Sequence, residues 1–132
     1  MITVLANGCY DVLHYGHLLH LREAAAMGDR LIVGLTADSW VRKGPGRPIN
    51  TWEHRAEMLR ELRCVSHVFK TIGSVAAILE YRPQIFVKGI DYAAGDRWSE
   101  DVEAACRDVG AKLVFTQTPK MSATDIIRKA MA

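Results

Sequence analysis

With 132 residues, 49% of them hydrophobic and 24% charged, the chain has the make-up of one globular domain. At this length about two-thirds of the unfolded surface can be buried, enough for one core and too little for two. Disorder, collagen-like repeats and coiled coil are excluded as the main architecture, and 17 Lys+Arg against 15 Asp+Glu, a net of +2, lacks the basic excess that nucleic-acid binding needs.

No apolar run approaches the roughly 20 residues that span a bilayer, so no membrane partner is expected. Met1 to Ala6 is apolar but short, with no basic flank and its first charge at Asp11, so no signal peptide is expected and the location is taken as cytoplasmic. Cys9, Cys64 and Cys106 are scattered, with no Cys-x-x-Cys, and read as spectator thiols of a reducing compartment.

The first strand is expected at Ile2–Ala6, followed by a helix from Gly16 to Met27 that Gly28 stops. Arg30–Leu35 is short and apolar enough to be a strand buried on both faces. Thr36–Asn50, with Gly44, Pro45, Gly46 and Pro48, reads as a loop with room for one helical turn. Asn50 is expected to cap a helix reaching Arg63, with Glu53 completing a capping box. Strands follow at Val65–Lys70, Gln84–Lys88 and Lys112–Thr116, with helices at Ser74–Tyr81, Ser99–Val109 and Ser122–Met131. This alternation predicts right-handed βαβ units in a single Rossmann-like α/β domain over residues 1–132. Its parallel five-stranded sheet is expected in the order 3-2-1-4-5, with helices on both faces. Ligands of such folds sit beyond the carboxyl ends of the strands, and those loops hold the unusual residues.

The first loop reads Asn7-Gly8-Cys9-Tyr10-Asp11-Val12-Leu13-His14-Tyr15-Gly16-His17. Gly8 allows a tight turn or close approach to a ligand. His14 and His17, three residues apart at a helix start, project within roughly 60° of each other. Free N–H groups and the positive dipole end lie there, so a phosphate is the natural object. Gly16 removes an obstructing side chain. His20 repeats the interval, but three histidines fanned over roughly 120° suit one metal ion poorly, and His20 reads as a surface or packing residue.

This segment resembles the cytidylyltransferase-like nucleotidyltransferases, whose signature is Gly-x-Phe/Tyr-Asp running into His-x-Gly-His. The resemblance continues over essentially the whole chain. Ala26-Met27-Gly28-Asp29 and Leu31-Ile32-Val33-Gly34 look like the helix end and second strand of that family, and Asp38 falls at its acidic position. Lys43-Gly44-Pro45-Gly46-Arg47-Pro48-Ile49-Asn50 resembles the heptose-phosphate adenylyltransferase branch, as does the Asn7-Gly8-Cys9 opening.

The resemblance implies nucleotidyl transfer. An acceptor phosphate attacks the α-phosphorus of a nucleoside triphosphate, with Mg²⁺ bridging phosphates and Asp11 as its protein contact. It implies a catalytic set of His14 and His17 on the α-phosphate and leaving oxygen, Lys43 and Ser122 on the outer phosphates, and Arg55 and Arg63 on phosphates of either substrate. Nucleotide contacts are implied at Gly8, Cys9, Tyr10, Asp11, Gly16, Lys88, Gly89, Asp91, Thr118, Ser122 and Thr124. Ser122 also has a sufficient local reason, as N-cap of the last helix. Gln117, Lys120 and Ala123 depart from the family's Arg-Thr-x-Gly-x-Ser-Thr-Thr stretch, and Ile90 stands where the heptose branch has Gly. The expected reactants are ATP and a sugar phosphate of the heptose 1-phosphate type. The alternatives are CTP with glycerol 3-phosphate or a phospho-alcohol, and a nucleotide-binding module without turnover. A homodimer is expected from the family.

Overall fold

Val4, Leu5 and Ala6 are fully buried because their strand is the middle one of five. The computed structural model describes residues 1–89, 98–118 and 123–132. In chain order these form β1 (Thr3–Gly8), α1 (Tyr15–Ala25), β2 (Arg30–Thr36), α2 (Trp52–Arg60), β3 (His67–Thr71), α3 (Ser74–Tyr81), β4 (Ile85–Lys88), α4 (Trp98–Val109), β5 (Lys112–Phe115) and α5 (Ala123–Ala130). A single 3₁₀ turn at Asp38–Trp40 is the one regular piece of the loop after β2. The sheet order is β3-β2-β1-β4-β5 with every neighbouring pair parallel, as the alternation predicts.

Successive strand side chains face opposite ways, so the sheet builds two cores. Val4, Ala6, Leu31, Val33 and Leu35 pack with Leu21 and Ala24 of α1 and Ala56 and Leu59 of α2. Leu5, Ile32, Phe69 and Phe86 pack with Ala77 and Ile78 of α3 and Val102 and Ala105 of α4. Each large side chain wholly withdrawn from water here contributes about 1.5–3 kcal/mol. No helix among the described residues is long and apolar enough to cross a membrane.

Three local expectations are corrected. Gly28 does not stop α1, which ends at Ala25 with Ala26 as a right-handed cap. Gly28 is required by packing instead, since a Cβ there would come within 2.8 Å of the Ile2 carbonyl and of Val4. The N-cap of α2 is Thr51, whose hydroxyl accepts from the His54 N–H, so no Asn50–Glu53 capping box forms. The last helical residue of α2 is Arg60, and β3 starts at His67 after a chain of turns, later than its Val65 hydrophobicity suggests.

The direction of α2 matters for the site. Its first residue, Trp52, donates from Nε1 to the Leu35 carbonyl near the carboxyl end of β2. Just beyond its other end, the Ser66 N–H reaches the carbonyl of Leu31, near the start of β2. The helix therefore runs from the carboxyl rim of the sheet to the opposite rim. Strand order reverses between β1 and β4, so a crevice opens beyond Gly8 and Lys88.

Candidate active site

His14 is the N-cap of α1. Its Nδ1 accepts from the Gly16 N–H at 3.1 Å, and the Nδ1 of His17 accepts from the His14 N–H at 3.2 Å. This reciprocal capping box, built from two imidazoles, fixes both tautomers: a ring nitrogen that accepts has no proton, so each ring carries its proton on Nε2. The rings stack with centroids 3.8 Å apart and planes 23° apart. Burial, with Lys43 nearby, pushes the His14 pKa down. Burial, with His14, Lys43 and His20, pushes that of His17 down to about 3. Both are neutral N–H donors near neutral pH. The helix N–H groups expected to be free for a phosphate are partly spent on the histidines, and the Nε2–H edges take over as donors.

The loop that delivers this pair is strained where the sequence shows no glycine. Gly8 is still in β1, and the left-handed conformations fall on Tyr10 (φ 45°) and Val12 (φ 57°). A β-branched residue in that region is costly, by about 1–3 kcal/mol, and persists only when its surroundings enforce it. Asp11 between them supplies the enforcement. Its buried carboxylate accepts from Arg47 Nε at 2.8 Å, Ile49 N–H at 2.7 Å and Asn50 N–H at 3.0 Å. Burial alone would raise its pKa, but the Asn50 and Ile49 amides and Arg47 hold it below the usual value. The expected role of Asp11 as a metal ligand is therefore corrected: with three donors on it and its side chain sealed from solvent, it offers no open oxygen. Among the described residues no cluster of His, Cys, Asp and Glu fits a metal ion. A protein-held Mg²⁺ does not fit these residues.

Arg55 is corrected in the same way. It is 1% exposed, and its guanidinium donates to the carbonyls of Cys9, Thr36 and Asn50 and to the Asp38 carboxylate at 2.6 Å. Four acceptors leave it little to give a phosphate. It is a clasp joining the loops after β1 and β2 to α2. Arg63 is exposed and lies beyond the end of α2, at the rim opposite the histidines, so within one chain it does not join the site.

Lys43 is exposed on the loop after β2 and close enough for its charge to act on both imidazoles. On the other side of β1, Lys88 Nζ donates to the Asn7 carbonyl at 3.3 Å, so Lys88 and the following Gly89 border the crevice at the strand-order reversal. Asp91 and Ser122 lie outside the described residues, as do Ile90 and Lys120. Thr124 is exposed in the first turn of α5. Thr118 is engaged: its N–H and hydroxyl, with the Gln117 N–H, bind the carboxylate of Glu23 on α1 at 2.9–3.2 Å. These donors are held by the protein itself, which corrects the expectation that Thr118 is open to a nucleotide. His20 bonds to the buried Thr116 hydroxyl at 2.7 Å, which agrees with a packing role.

Three buried side-chain atoms have no hydrogen-bond partner among the described residues: Asn7 Oδ1, His14 Nε2 and Arg47 Nη2. Asn7 is near the carboxyl end of β1, and His14 and Arg47 lie in the loops that follow β1 and β2. Orphaned buried polar atoms are rare, and three of them at this rim of the sheet make it the candidate place for a ligand.

The profile of the cytidylyltransferase-like family matches residues 5–129. The chain belongs to that family. The cytidylyltransferase-like family is one of nucleotidyltransferases, and the match covers both the histidine pair and the loops around it. The bifunctional protein HldE of Photobacterium profundum is 45% identical over 98 residues, and that of Pseudomonas fluorescens 39% over 130 residues. These alignments cover 71% and 96% of this chain but only 21% and 27% of the relatives, so the chain spans at most about a quarter of their length. A lipopolysaccharide core biosynthesis protein of Thermoplasma volcanium superposes with a TM-score of 0.77 at 27% identity, covering 91% of this chain and 99% of that one. The pantoate–β-alanine ligase of Francisella tularensis shares the fold alone, with a TM-score of 0.62 at 14% identity over 98% of this chain and 69% of that one.

Within this family frame, sequence reasoning misses Asn7, Glu23 and Arg47 as site residues. Asn7 and Arg47 stand inside segments that the resemblance quotes, which was the available signal. Gly34 offers another: a Cβ there would strike Asn7 Oδ1, so that glycine makes room for the Asn7 side chain. Glu23 reads as one more charge on a helix face and has no local signal.

Proposed function

We propose that this domain transfers an adenylyl group from ATP to the phosphate of a sugar phosphate of the heptose 1-phosphate type, releasing pyrophosphate. An acceptor phosphate oxygen attacks the α-phosphorus, and the bond to the pyrophosphate oxygen breaks as the new P–O bond forms. The nucleophile is already anionic, so alignment and charge stabilisation are what the protein must supply.

The observation that carries this reading is the imidazole pair. Two stacked neutral rings turn Nε2–H donors away from the α1 backbone, and the His14 Nε2 is buried without a partner among the described residues. Such donors suit oxygens that gain charge in the transition state and pay no reorganisation at that moment. Lys43 supplies a mobile cation for the outer phosphates, with Ser122 assigned there too, and Lys88 and Gly89 border the nucleotide crevice. Mg²⁺ arriving with the triphosphate would supply charge neutralisation there. The heptose-type wording of Lys43-Gly44-x-x-Arg47-Pro48-x-Asn50 and the similarity to HldE support ATP and a sugar phosphate.

The test is pyrophosphate release from ATP, CTP, GTP and UTP, each with heptose 1-phosphate, glycerol 3-phosphate and phosphoethanolamine. ATP with the heptose phosphate is expected to turn over fastest. Turnover only with CTP and a phospho-alcohol moves the assignment to a cytidylyltransferase. Tight nucleotide binding without pyrophosphate from any pair overturns the enzyme reading in favour of a binding module.

A further inference from the structure

Arg47 closes the Gly44–Gly46 turn, its N–H bonded to the Gly44 carbonyl at 3.3 Å. Its side chain is 15% exposed and its Nε is spent on the sealed Asp11 carboxylate at 2.8 Å. The Nη2 of the same guanidinium is out of solvent and has no partner among the described residues. An unpaired donor on a charged group is costly when buried, and the protein could avoid the cost by letting the side chain swing into water. Asp11 prevents that. It holds the Nε–H, and because the guanidinium is planar and rigid the remaining N–H groups are fixed in place.

The chemistry of the missing partner follows from the donors. A charged guanidinium with a buried Nη2 unpartnered beside its bonded Nε calls for an anion with several oxygens in one group. Among the described residues no carboxylate bonds to it: Asp11 takes the Nε, and Asp38 is paired with Arg55. The other orphaned donor, His14 Nε2, sits three residues from Asp11 on the strained loop that Asp11 ties to Arg47. Lys43, four residues before Arg47, places a second cation beside the same imidazoles.

We infer that Arg47 is a phosphoryl-binding residue of this site, oriented by Asp11. The inference deepens the proposed function and rests on it for the identity of the reactants, since both the triphosphate and the acceptor carry phosphoryl groups.

The test compares wild type with Arg47→Lys, which keeps the charge opposite Asp11 but loses the fork. Binding is titrated with inorganic phosphate, pyrophosphate and α,β-methylene ATP, alongside thermal unfolding without ligand. Arg47→Lys is expected to unfold within a few degrees of wild type and to bind at least one probe about tenfold more weakly or worse. Loss with pyrophosphate and the ATP analogue assigns the group to the triphosphate. Loss confined to inorganic phosphate, with a raised KM for the sugar phosphate, assigns it to the acceptor. Unchanged affinity for all three probes overturns the inference, as does failure of wild type to bind any of them. If Arg47→Lys does not fold, the side-chain ¹⁵N resonances of Arg47 in wild type are followed instead. A shift on adding the probes supports phosphoryl contact, and their indifference overturns it. The two proposals fail separately. Weakened phosphate binding in a protein that releases no pyrophosphate sinks adenylyl transfer and leaves Arg47 assigned, whereas turnover that Arg47→Lys does not alter does the reverse.

Discussion

Asp11 and Arg47 meet at 2.8 Å although 36 residues separate them, and the same carboxylate caps the backbone N–H groups of Ile49 and Asn50. One side chain thus fixes the strained loop that carries the histidines against the loop that carries the cations. Asp11→Ala would leave two amides and a guanidinium edge buried without acceptors. The expected cost is about 3 kcal/mol, or a fall of roughly 10 °C in Tm. Thermal unfolding checks it. A Tm within two or three degrees of wild type would show that the carboxylate does not carry the loop.

Arg55 makes a similar structural claim on a residue that the family resemblance assigns to phosphates. Arg55→Lys keeps the charge but cannot reach three carbonyls and Asp38 together, so it should destabilise the free protein by about 2–4 kcal/mol. Arg63→Ala, at an exposed position on the far rim, should stay within about 0.5 kcal/mol of wild type. Denaturant titration of both variants separates the readings. An Arg55→Lys protein as stable as wild type but deficient in turnover would return Arg55 to the phosphates.

The histidines should show the opposite pattern. His14→Ala or His17→Ala is expected to lower kcat by about 10²–10³, the scale of losing one preorganised transition-state donor, with much less effect on nucleotide affinity. Steady-state kinetics and equilibrium binding of ATP on the same variants make the comparison. Near-normal turnover in both would remove the pair from the chemistry.

How much of this was legible in the sequence depends on how far apart the partners are. Helix placement, the parallel sheet and the convergence of His14 and His17 follow from local periodicity and a three-residue spacing, the strand order from the Rossmann-like fold they imply, and the structure agrees. The roles of Asp11 and Arg55 were not legible. Their partners are backbone groups of Cys9, Thr36, Ile49 and Asn50, which acquire positions only when loops from different strands meet. A lone arginine on a helix looks the same in sequence whether it faces water or three carbonyls. Gly28 misled for a related reason, since its missing Cβ is demanded by Ile2 and Val4 across the fold rather than by the helix before it.

Acid should weaken the fold through His17 before it reaches Asp11. His17 titrates at about 3 in the folded protein against an ordinary 6.5, because of burial and the neighbouring positive groups. Between those values the unfolded chain binds a proton that the folded one does not. Stability therefore rises with pH across this window and is lost as pH falls from about 6.5 toward 3, by at most about 1.4 kcal/mol per unit for this group. His14, shifted in the same direction, adds to the slope, whereas Asp11, held below 3.8, contributes only at lower pH. His17→Asn should flatten the dependence measured by urea unfolding between pH 4.5 and 7. An unchanged slope would mean that His17 is not held neutral by the fold.

Lys43 is expected to act by closure of its loop over the triphosphate. Gly44 and Gly46 take left-handed conformations (φ 99° and 76°) with open space where a Cβ would stand, and residues 42–46 are all exposed. Both ends are anchored, at the buried Val41 and at Arg47 on Asp11, which confines movement to residues 42–46. Lys43 thus sits on a short segment that can swing its ammonium toward phosphates beside the imidazoles without disturbing Asp11. Lys43→Ala should slow turnover and leave the Tm of the free protein almost unchanged, because an exposed loop charge contributes little to stability. Hydrogen exchange with and without ATP tests the motion itself. Amides from residue 42 to 46 should exchange rapidly in the free protein and gain protection in the complex, while the Ile49 and Asn50 amides, bonded to Asp11, should be protected in both. If protection around Lys43 is the same in the two states, the loop does not close, and Lys43 acts through a fixed charge or not at all.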